Sequence, residues 1–226
     1  MQRRILRMLA VVVTTAPAVA LAQSPKAATY ITDEEVKTVN SQPGVDRTIR
    51  VVDIGNQNYA IGIIHRGATG GARGTAAGAA GAGGGAAAGA GAGGGRGAQT
   101  GEPCGEQTGG TAPAAGTAGG IAHDSQTEGY LIVSGGGTLV TGGHIANGRK
   151  SAADAEVTKV LNGPSCSGTI VGADVVKKVV KTGDIIIIPA GVPHGWTDIT
   201  DHVDYLSFRP SDHVLQAGYV HPSIKK

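Results

Sequence analysis

Apolar and polar positions near residue 30 have the spacing of a helix N-terminus. Thr32 followed by Glu35 is typical of a capping box, in which each side chain bonds the backbone N–H of the other residue. Ile31 and Val36 stand where a hydrophobic staple would flank this cap. The pattern predicts a short helix that begins near Thr32 and ends before Pro43.

Beyond Pro43 the apolar residues occur in short runs rich in β-branched side chains, and glycines separate these runs. Many short strands at close spacing favour an antiparallel sandwich or barrel. We therefore predict an all-β fold with strands at Thr48–Ile54, Tyr59–His65, Ile121–Asp124, Gly129–Val133, Gly137–Thr141, Glu156–Leu161, Thr169–Val171, Val175–Val180, Asp184–Ile188, Trp196–Ile199 and Val203–Phe208.

Residues 1–22 have the composition of a signal peptide. A basic start with Arg3 and Arg4 precedes an apolar stretch, and Ala20-Leu21-Ala22 supplies the small-x-small cleavage pattern. The apolar stretch is too short to span a bilayer comfortably. We predict cleavage before Gln23, a periplasmic or secreted protein, and no membrane anchor after cleavage.

Residues 67–120 consist almost entirely of Gly, Ala and Thr. Such a segment cannot bury enough apolar surface to offset the entropy of ordering it, so we predict a disordered insert. The insert divides residues 23–66, with the helix and the first strands, from the barrel core at 121–210 and a C-terminal tail at 211–226.

The charge of the chain bears on its possible binding partners, and its cysteine content bears on the redox state of its compartment. The formal net charge is +2, and no basic run with interleaved aromatic residues is present, so nucleic acid is not an expected partner. The only two cysteines are Cys104 and Cys166. An oxidising compartment would permit a bridge between them, and two separate thiols are the alternative.

The stretch GDIIIIPAGVPHGW contains a buried-strand pattern followed by a rigid turn. Its residues Gly183, Pro189, Gly191 and His194 fit G-x5-P-x-G-x2-H, so the region resembles the second motif of the cupin family. Asp198 stands where this motif usually has Asn.

The stretch IAHDSQTEGYLIVSG resembles the first cupin motif, H-x-H-x3,4-E-x6-G. His123, Glu128 and Gly135 occupy three of its positions, and Ile121 stands where the first histidine is expected. Alternation along a strand would point Ile121 and His123 the same way. Asp124 could replace the missing ligand only if the strand were locally distorted.

The resemblance implies a jelly-roll barrel with a divalent transition metal inside, held by His123, Glu128 and His194. Two histidines and one carboxylate suit Fe, Mn, Zn or Ni and leave coordination positions open. Side chains that could line the pocket are Tyr130, Trp196, Tyr205 and Arg209. The other five histidines are expected to be turn or core residues.

The four isoleucines from Ile185 to Ile188 predict a strand that is covered on both faces. One face would line the barrel interior. Because a second cupin sheet often covers the other face, the resemblance is compatible with a homodimer.

Three functions fit these observations. The first is an exported metal-dependent cupin that binds or acts on a small organic molecule, for example as a dioxygenase or an isomerase. The second is a non-catalytic ligand-binding or sensory cupin. The third is an envelope interaction protein that uses the Gly/Ala-rich insert. No Ser-His-Asp arrangement is apparent in the sequence.

Overall fold

The computed structural model describes residues 27–69, 101–109 and 118–225. The predicted signal peptide lies outside these ranges, as do residues 70–100 and 110–117 of the predicted insert. Within the described ranges the elements are α1 (Asp33–Asn40), β1 (Asp46–Asp53), β2 (Asn58–Gly67), β3 (Pro103–Cys104), β4 (Gly119–His123), β5 (Glu128–Thr141), β6 (His144–Lys150), a π-helical turn (Thr158–Asn162), β7 (Ser165–Val171), β8 (Val176–Lys181), β9 (Ile185–Ile188), β10 (His194–Thr197) and β11 (His202–Ser211).

The strands pair antiparallel in two sheets that share β5. One sheet has the order β1-β2-β11-β5-β9, and the other continues from β5 through β10-β4-β7-β6-β3, with β8 on the opposite edge of β5. Side chains from both sheets, such as Ile64 and Trp196, pack in one core between them. The predicted all-β antiparallel fold with a short N-terminal helix is confirmed, and the arrangement is consistent with a cupin jelly roll.

The passage of β5 from one sheet to the other depends on Gly135. Its φ is 68°, in the left-handed region that glycine adopts without strain. A Cβ at this position would lie 2.0 Å from the carbonyl oxygen of His202. The motif glycine is therefore required by both the backbone angle and the close approach of β11.

Helix α1 begins as the sequence predicts. Thr32 caps it, and the reciprocal bonds between Thr32 and Glu35 complete the capping box. At the other end Arg47 donates to the carbonyl oxygens of Asn40 and Gln42 at 2.6 and 2.7 Å, where a cation satisfies unpaired carbonyls. Among the described residues no helix is long and apolar enough to cross a membrane.

The predicted strand at Glu156–Leu161 is wrong, because this segment is helical and contains the π-helical turn. Val157, Val160 and Leu161 are spaced by three and four residues, which places them on one helical face. They pack together against the outer edge of the core near Val51. Local β-branched composition indicated a strand, but tertiary packing selected the helix.

Two other boundaries differ from the prediction. The sequence did not indicate β6, since His144–Lys150 has few large apolar residues, yet it lies between β7 and β3. The predicted strands Gly129–Val133 and Gly137–Thr141 are parts of the single strand β5.

The prediction that both faces of Ile185–Ile188 are covered is wrong for the single chain. Ile188 is 2% exposed, but Ile185 and Ile187 are 74% and 72% exposed. Alternation along β9 places the two pairs on opposite faces. A second copy of the chain would cover the exposed face, and the homodimer stays a prediction.

Cys104 and Cys166 form a disulfide, which decides between the two readings of the cysteines. The bridge joins β3 to β7, and β3 also pairs with β6. Residues 101–109 belong to the predicted insert, yet the bridge and the pairing of β3 with β6 build them into the edge of the barrel.

Candidate functional site

Three strand ends bring His123, Glu128 and His194 together. His123 ends β4, Glu128 begins β5, and His194 begins β10, which pairs with both other strands. The Gly191 N–H donates to the His123 carbonyl oxygen at 2.7 Å and so ties the turn before β10 to β4. All three side chains are buried, and one ligand atom from each lies within 4.8 Å of the others.

Backbone carbonyls set the orientation of both imidazoles. His123 Nδ1 lies 2.8 Å from the carbonyl oxygen of Asn162, and His194 Nδ1 lies 3.1 Å from that of Val192. A carbonyl oxygen can only accept, so each Nδ1 carries a proton, and in the neutral ring each Nε2 then carries a lone pair. Metal-binding histidines are commonly held through the second ring nitrogen in this way.

The two Nε2 atoms converge on the Glu128 carboxylate. His123 Nε2 is 2.6 Å from Oε1, and His194 Nε2 is 3.5 Å from Oε2. When both rings are neutral, the two Nε2 atoms and the carboxylate oxygens are all acceptors, and His123 Nε2 makes no hydrogen bond. Buried acceptors in contact are unfavourable unless a cation neutralises them. Two imidazole nitrogens and one carboxylate fit a divalent transition metal.

Arg209 supplies a positive charge beside the same carboxylate. Its Nη1 lies 2.8 Å from Glu128 Oε1 and donates to Asn162 Oδ1 at 2.6 Å. Its Nε donates to Ser207 Oγ at 2.7 Å. The guanidinium is therefore fixed on the wall of the site from β11, and the oxygen that it contacts is the one nearest His123.

The surroundings set the charge of the acid and of one base. Burial alone would raise the pKa of Glu128, but Arg209 and the two imidazoles outweigh it and hold that pKa well below its usual range. Burial, supported by His123 and only partly opposed by Glu128, lowers the pKa of His194 to about 4. At neutral pH the site thus offers an ionised carboxylate and a neutral imidazole, the forms that bind metals.

Ile121 lies on the inner face, as strand alternation predicts. It is opposite His194 in the pairing of β4 with β10, and it lines the same small cavity as His123. The position of the first motif histidine is thus inside the site but carries an apolar side chain. The cavity is about 20 Å³, which accommodates roughly one water-sized group.

The four predicted pocket residues divide into two layers. Tyr130 and Arg209 line the cavity, and the Tyr130 ring stands edge-on to His194 with centroids 6.2 Å apart. The Tyr205 ring packs at a tilt against Tyr130 with centroids 4.3 Å apart, and Trp196 stacks on Tyr205 with centroids 5.5 Å apart. Trp196 and Tyr205 therefore support the cavity wall by packing behind Tyr130.

Asp124 does not replace the missing ligand. Its carboxylate contacts Lys150 Nζ at 2.7 Å at the surface, so it points away from the cavity. The sequence also missed Arg66, which lines the cavity, donates to the Tyr205 hydroxyl at 3.0 Å and lies 3.5 Å from Asp46. Alternation along β2 could have indicated that Arg66 points into the barrel. Asn162 reaches the cavity from the π-helical turn, and only the fold shows this.

No protein-family model matches the chain, and no curated protein was found that is similar to it. Among solved structures, an uncharacterized conserved protein with a double-stranded β-helix domain from Klebsiella pneumoniae aligns over 84% of this chain and 94% of its own, at 14% identity and a TM-score of 0.34. The protein BH2720 from Bacillus halodurans aligns over 88% and 93%, at 12% identity and a TM-score of 0.37.

A third solved structure, Peruvianin-I, a cysteine peptidase from Thevetia peruviana latex, aligns over 87% of this chain and 86% of its own. The identity is 9% and the TM-score 0.31. Likeness at this level carries no information on function. The barrel fold stands on the strand pairing described above.

Proposed function

We propose that the chain is an exported cupin-type protein that holds one divalent transition metal on His123, Glu128 and His194 and binds or acts on a small organic molecule. The observation that carries this proposal is the convergence of two Nε2 lone pairs on a buried carboxylate. When bound, the metal would supply a Lewis acid that polarises an oxygen-bearing ligand. This ligand set suits Fe, Mn, Zn or Ni, and metal analysis would identify which of them binds.

The cavity lining indicates the chemistry of that small molecule. Room for roughly one water-sized group means that the ligand would reach the metal through a single donor atom. Arg66 and Arg209 both line the cavity, and guanidinium groups recognise anionic oxygen. These two guanidinium groups would recognise a carboxylate or similar oxyanion, and Asp46, which also lines the cavity, lies 3.5 Å from Arg66. Tyr130 also lines the cavity and would contact such a group.

A binding or sensory module without metal is the second candidate. The observation that favours it is the 2.8 Å contact of Arg209 with Glu128, because a buried carboxylate is stabilised by a paired guanidinium as well as by a metal. In that case the cluster would be a charge network that shapes the cavity. Metal analysis of the purified protein after reconstitution with Fe(II), Mn(II), Zn(II) and Ni(II) separates the two candidates.

Replacing Ile121 by histidine is expected to tighten metal binding by about tenfold or more, or about 1.4 kcal/mol. The new imidazole would occupy the first histidine position of the motif, opposite His194 and inside the cavity. Isothermal titration with each metal measures the change. Ile121→Leu, which keeps the apolar volume, is the control and should leave affinity unchanged. Absence of metal from both the wild type and Ile121→His would reject the metal site.

We propose that the protein is exported, with Gln23 as its first mature residue. The basic and apolar start and Ala20-Leu21-Ala22 motivate this proposal, and the Cys104–Cys166 disulfide supports an oxidising compartment. The N-terminal sequence and intact mass of the protein from its native host provide the measurement. Full-length precursor recovered from the cytoplasm would contradict the proposal.

A further inference from the structure

We propose that Ser134, His202 and Asp201 form a second site, on the outer surface of the barrel, in which Ser134 is a nucleophile toward activated carboxylic esters. Ser134 Oγ lies 3.1 Å from His202 Nε2, and His202 Nδ1 lies 2.7 Å from Asp201 Oδ2. Serine, imidazole and carboxylate in this order activate a hydroxyl, whatever their order along the chain.

A β-bulge places Ser134 at this site. In the pairing of β5 with β11, Asp204 is opposite Ser134 but Tyr205 is opposite Ile132, so the register shifts and Val133 has no partner. A bulge re-aims the side chains that follow it. Ser134 consequently shares a face with Asp204 and His202, whereas Tyr205 points into the core.

The tight approach at Gly135 holds the imidazole beside the serine. A Cβ on Gly135 would come within 2.0 Å of the His202 carbonyl oxygen, so the two backbones are in direct contact one residue after Ser134. The His65 ring is stacked on the other side of His202, with centroids 6.0 Å apart. The position of His202 is thus set by two neighbours and by Asp201.

The protonation pattern suits His202 as a general base. A carboxylate can only accept, so the contact with Asp201 keeps a proton on Nδ1 and leaves the Nε2 lone pair toward Ser134. Ser134 Oγ also lies 3.0 Å from Asp204 Oδ2, and Asp204 is held by His65 Nδ1 at 2.6 Å. Rotation of the hydroxyl about its Cβ–Oγ bond moves the single proton from Asp204 toward His202.

An ester can reach this serine from solvent. The side chains of His202 and Asp201 are 32% and 88% exposed, and His65 is 47% exposed. Ser134 and His202 are both half-buried, and their neighbours Asp201 and His65 are exposed. The three metal ligands and this second site share only β5, on which Glu128 is buried in the barrel and Ser134 is half-buried.

The reaction balances without any redox partner. Ser134 Oγ forms a bond to the carbonyl carbon and its proton passes to His202 Nε2. The bond from that carbon to the leaving oxygen breaks, and the leaving oxygen takes the proton from His202. Water then adds to the acyl carbon, gives a proton to His202, and releases the carboxylic acid as Ser134 recovers its proton.

Hydrolysis of p-nitrophenyl acetate tests the proposal. The wild-type protein should release p-nitrophenolate faster than buffer and carry an acetyl group on Ser134 in peptide mass mapping. Ser134→Ala should remove the label, and His202→Asn should lower the protein-dependent rate by roughly 100-fold. Ser223→Ala is the matched control, because Ser223 is also a serine beside an imidazole: its Oγ lies 2.8 Å from His221 Nδ1. This variant should leave the rate unchanged.

Labelling of the wild-type protein with phenylmethanesulfonyl fluoride provides a readout that does not depend on variant folding. Sulfonylation mapped to Ser134 supports the site. An unlabelled Ser134 in both experiments, or a full esterase rate in a folded Ser134→Ala, overturns the proposal. Circular dichroism spectra establish which variants are folded.

Discussion

Replacing His194 by alanine is expected to weaken divalent metal binding by more than about 100-fold, since it removes one of the three protein ligands. His194 is buried, its Nε2 lies 3.5 Å from Glu128 Oε2, and its orientation is set by Val192. Isothermal titration and the metal content of the purified variant provide the measurement. Retention of wild-type affinity would contradict the assignment of His194 to the site.

Two further variants make this result specific to the site. Glu128→Gln keeps the shape of the side chain but replaces a carboxylate by a weaker amide donor, so it should weaken binding without removing it. His144→Ala is the control. His144 is an exposed imidazole outside the cavity, and its Nε2 lies 2.7 Å from Glu106 Oε2. An equal loss of affinity in His144→Ala would show that metal binds nonspecifically at the surface.

Removing the disulfide is expected to lower the free energy of unfolding by roughly 4 kcal/mol, on loop-closure entropy for a sequence separation of 62 residues. Cys104→Ser and Cys166→Ser are combined so that no free thiol remains. For a chain of this size the melting temperature should fall by roughly 10 °C. Besides this bridge, residues 101–109 are attached to β6 by two paired positions of β3 and by backbone hydrogen bonds at Glu102 and Glu106.

Reduction of the wild-type protein is the matched control for the double variant. Denaturant unfolding with and without a reducing agent should reproduce the same loss, provided that serine causes no strain of its own. A double variant within about 1 kcal/mol of the oxidised wild type would contradict the predicted contribution of the disulfide to the free energy of unfolding.

Local chemistry made several features of this protein predictable. Thr32 and Glu35 define the start of α1 because a capping box is satisfied within four residues. Short β-branched runs between glycines indicate strands. The alternation of side chains and the residue preferences of turns are also properties of a few neighbouring residues. The turn from Pro189 to His194 likewise has its own backbone requirements, with Gly191 at φ 78°. The sequence alone predicts these parts, and among the predicted strands Glu156–Leu161 is the exception.

Packing between distant segments decided other features. The segment with Val157, Val160 and Leu161 is helical because the apolar face that these residues form packs against the barrel wall. Local propensity does not include this contact. Ile185 and Ile187 are exposed because the described chain places nothing over the outer face of β9. The disulfide exists because β3 pairs with β6 at the edge of the sheet and β7 lies on the other side of β6, whereas composition left the two cysteines undecided.

The sequence by itself determined the all-β class, the helix start and the residues that converge in the barrel, because motif spacing and strand alternation are properties of short segments. Only the tertiary structure decided what surrounds them. Arg209 and Asn162 reach Glu128 and His123 from segments far along the chain, and a single unpaired residue, Val133, turns Ser134 toward His202. These contacts depend on the register in which the strands pair. Because that register is set between strands that are distant in the chain, local sequence patterns do not specify it.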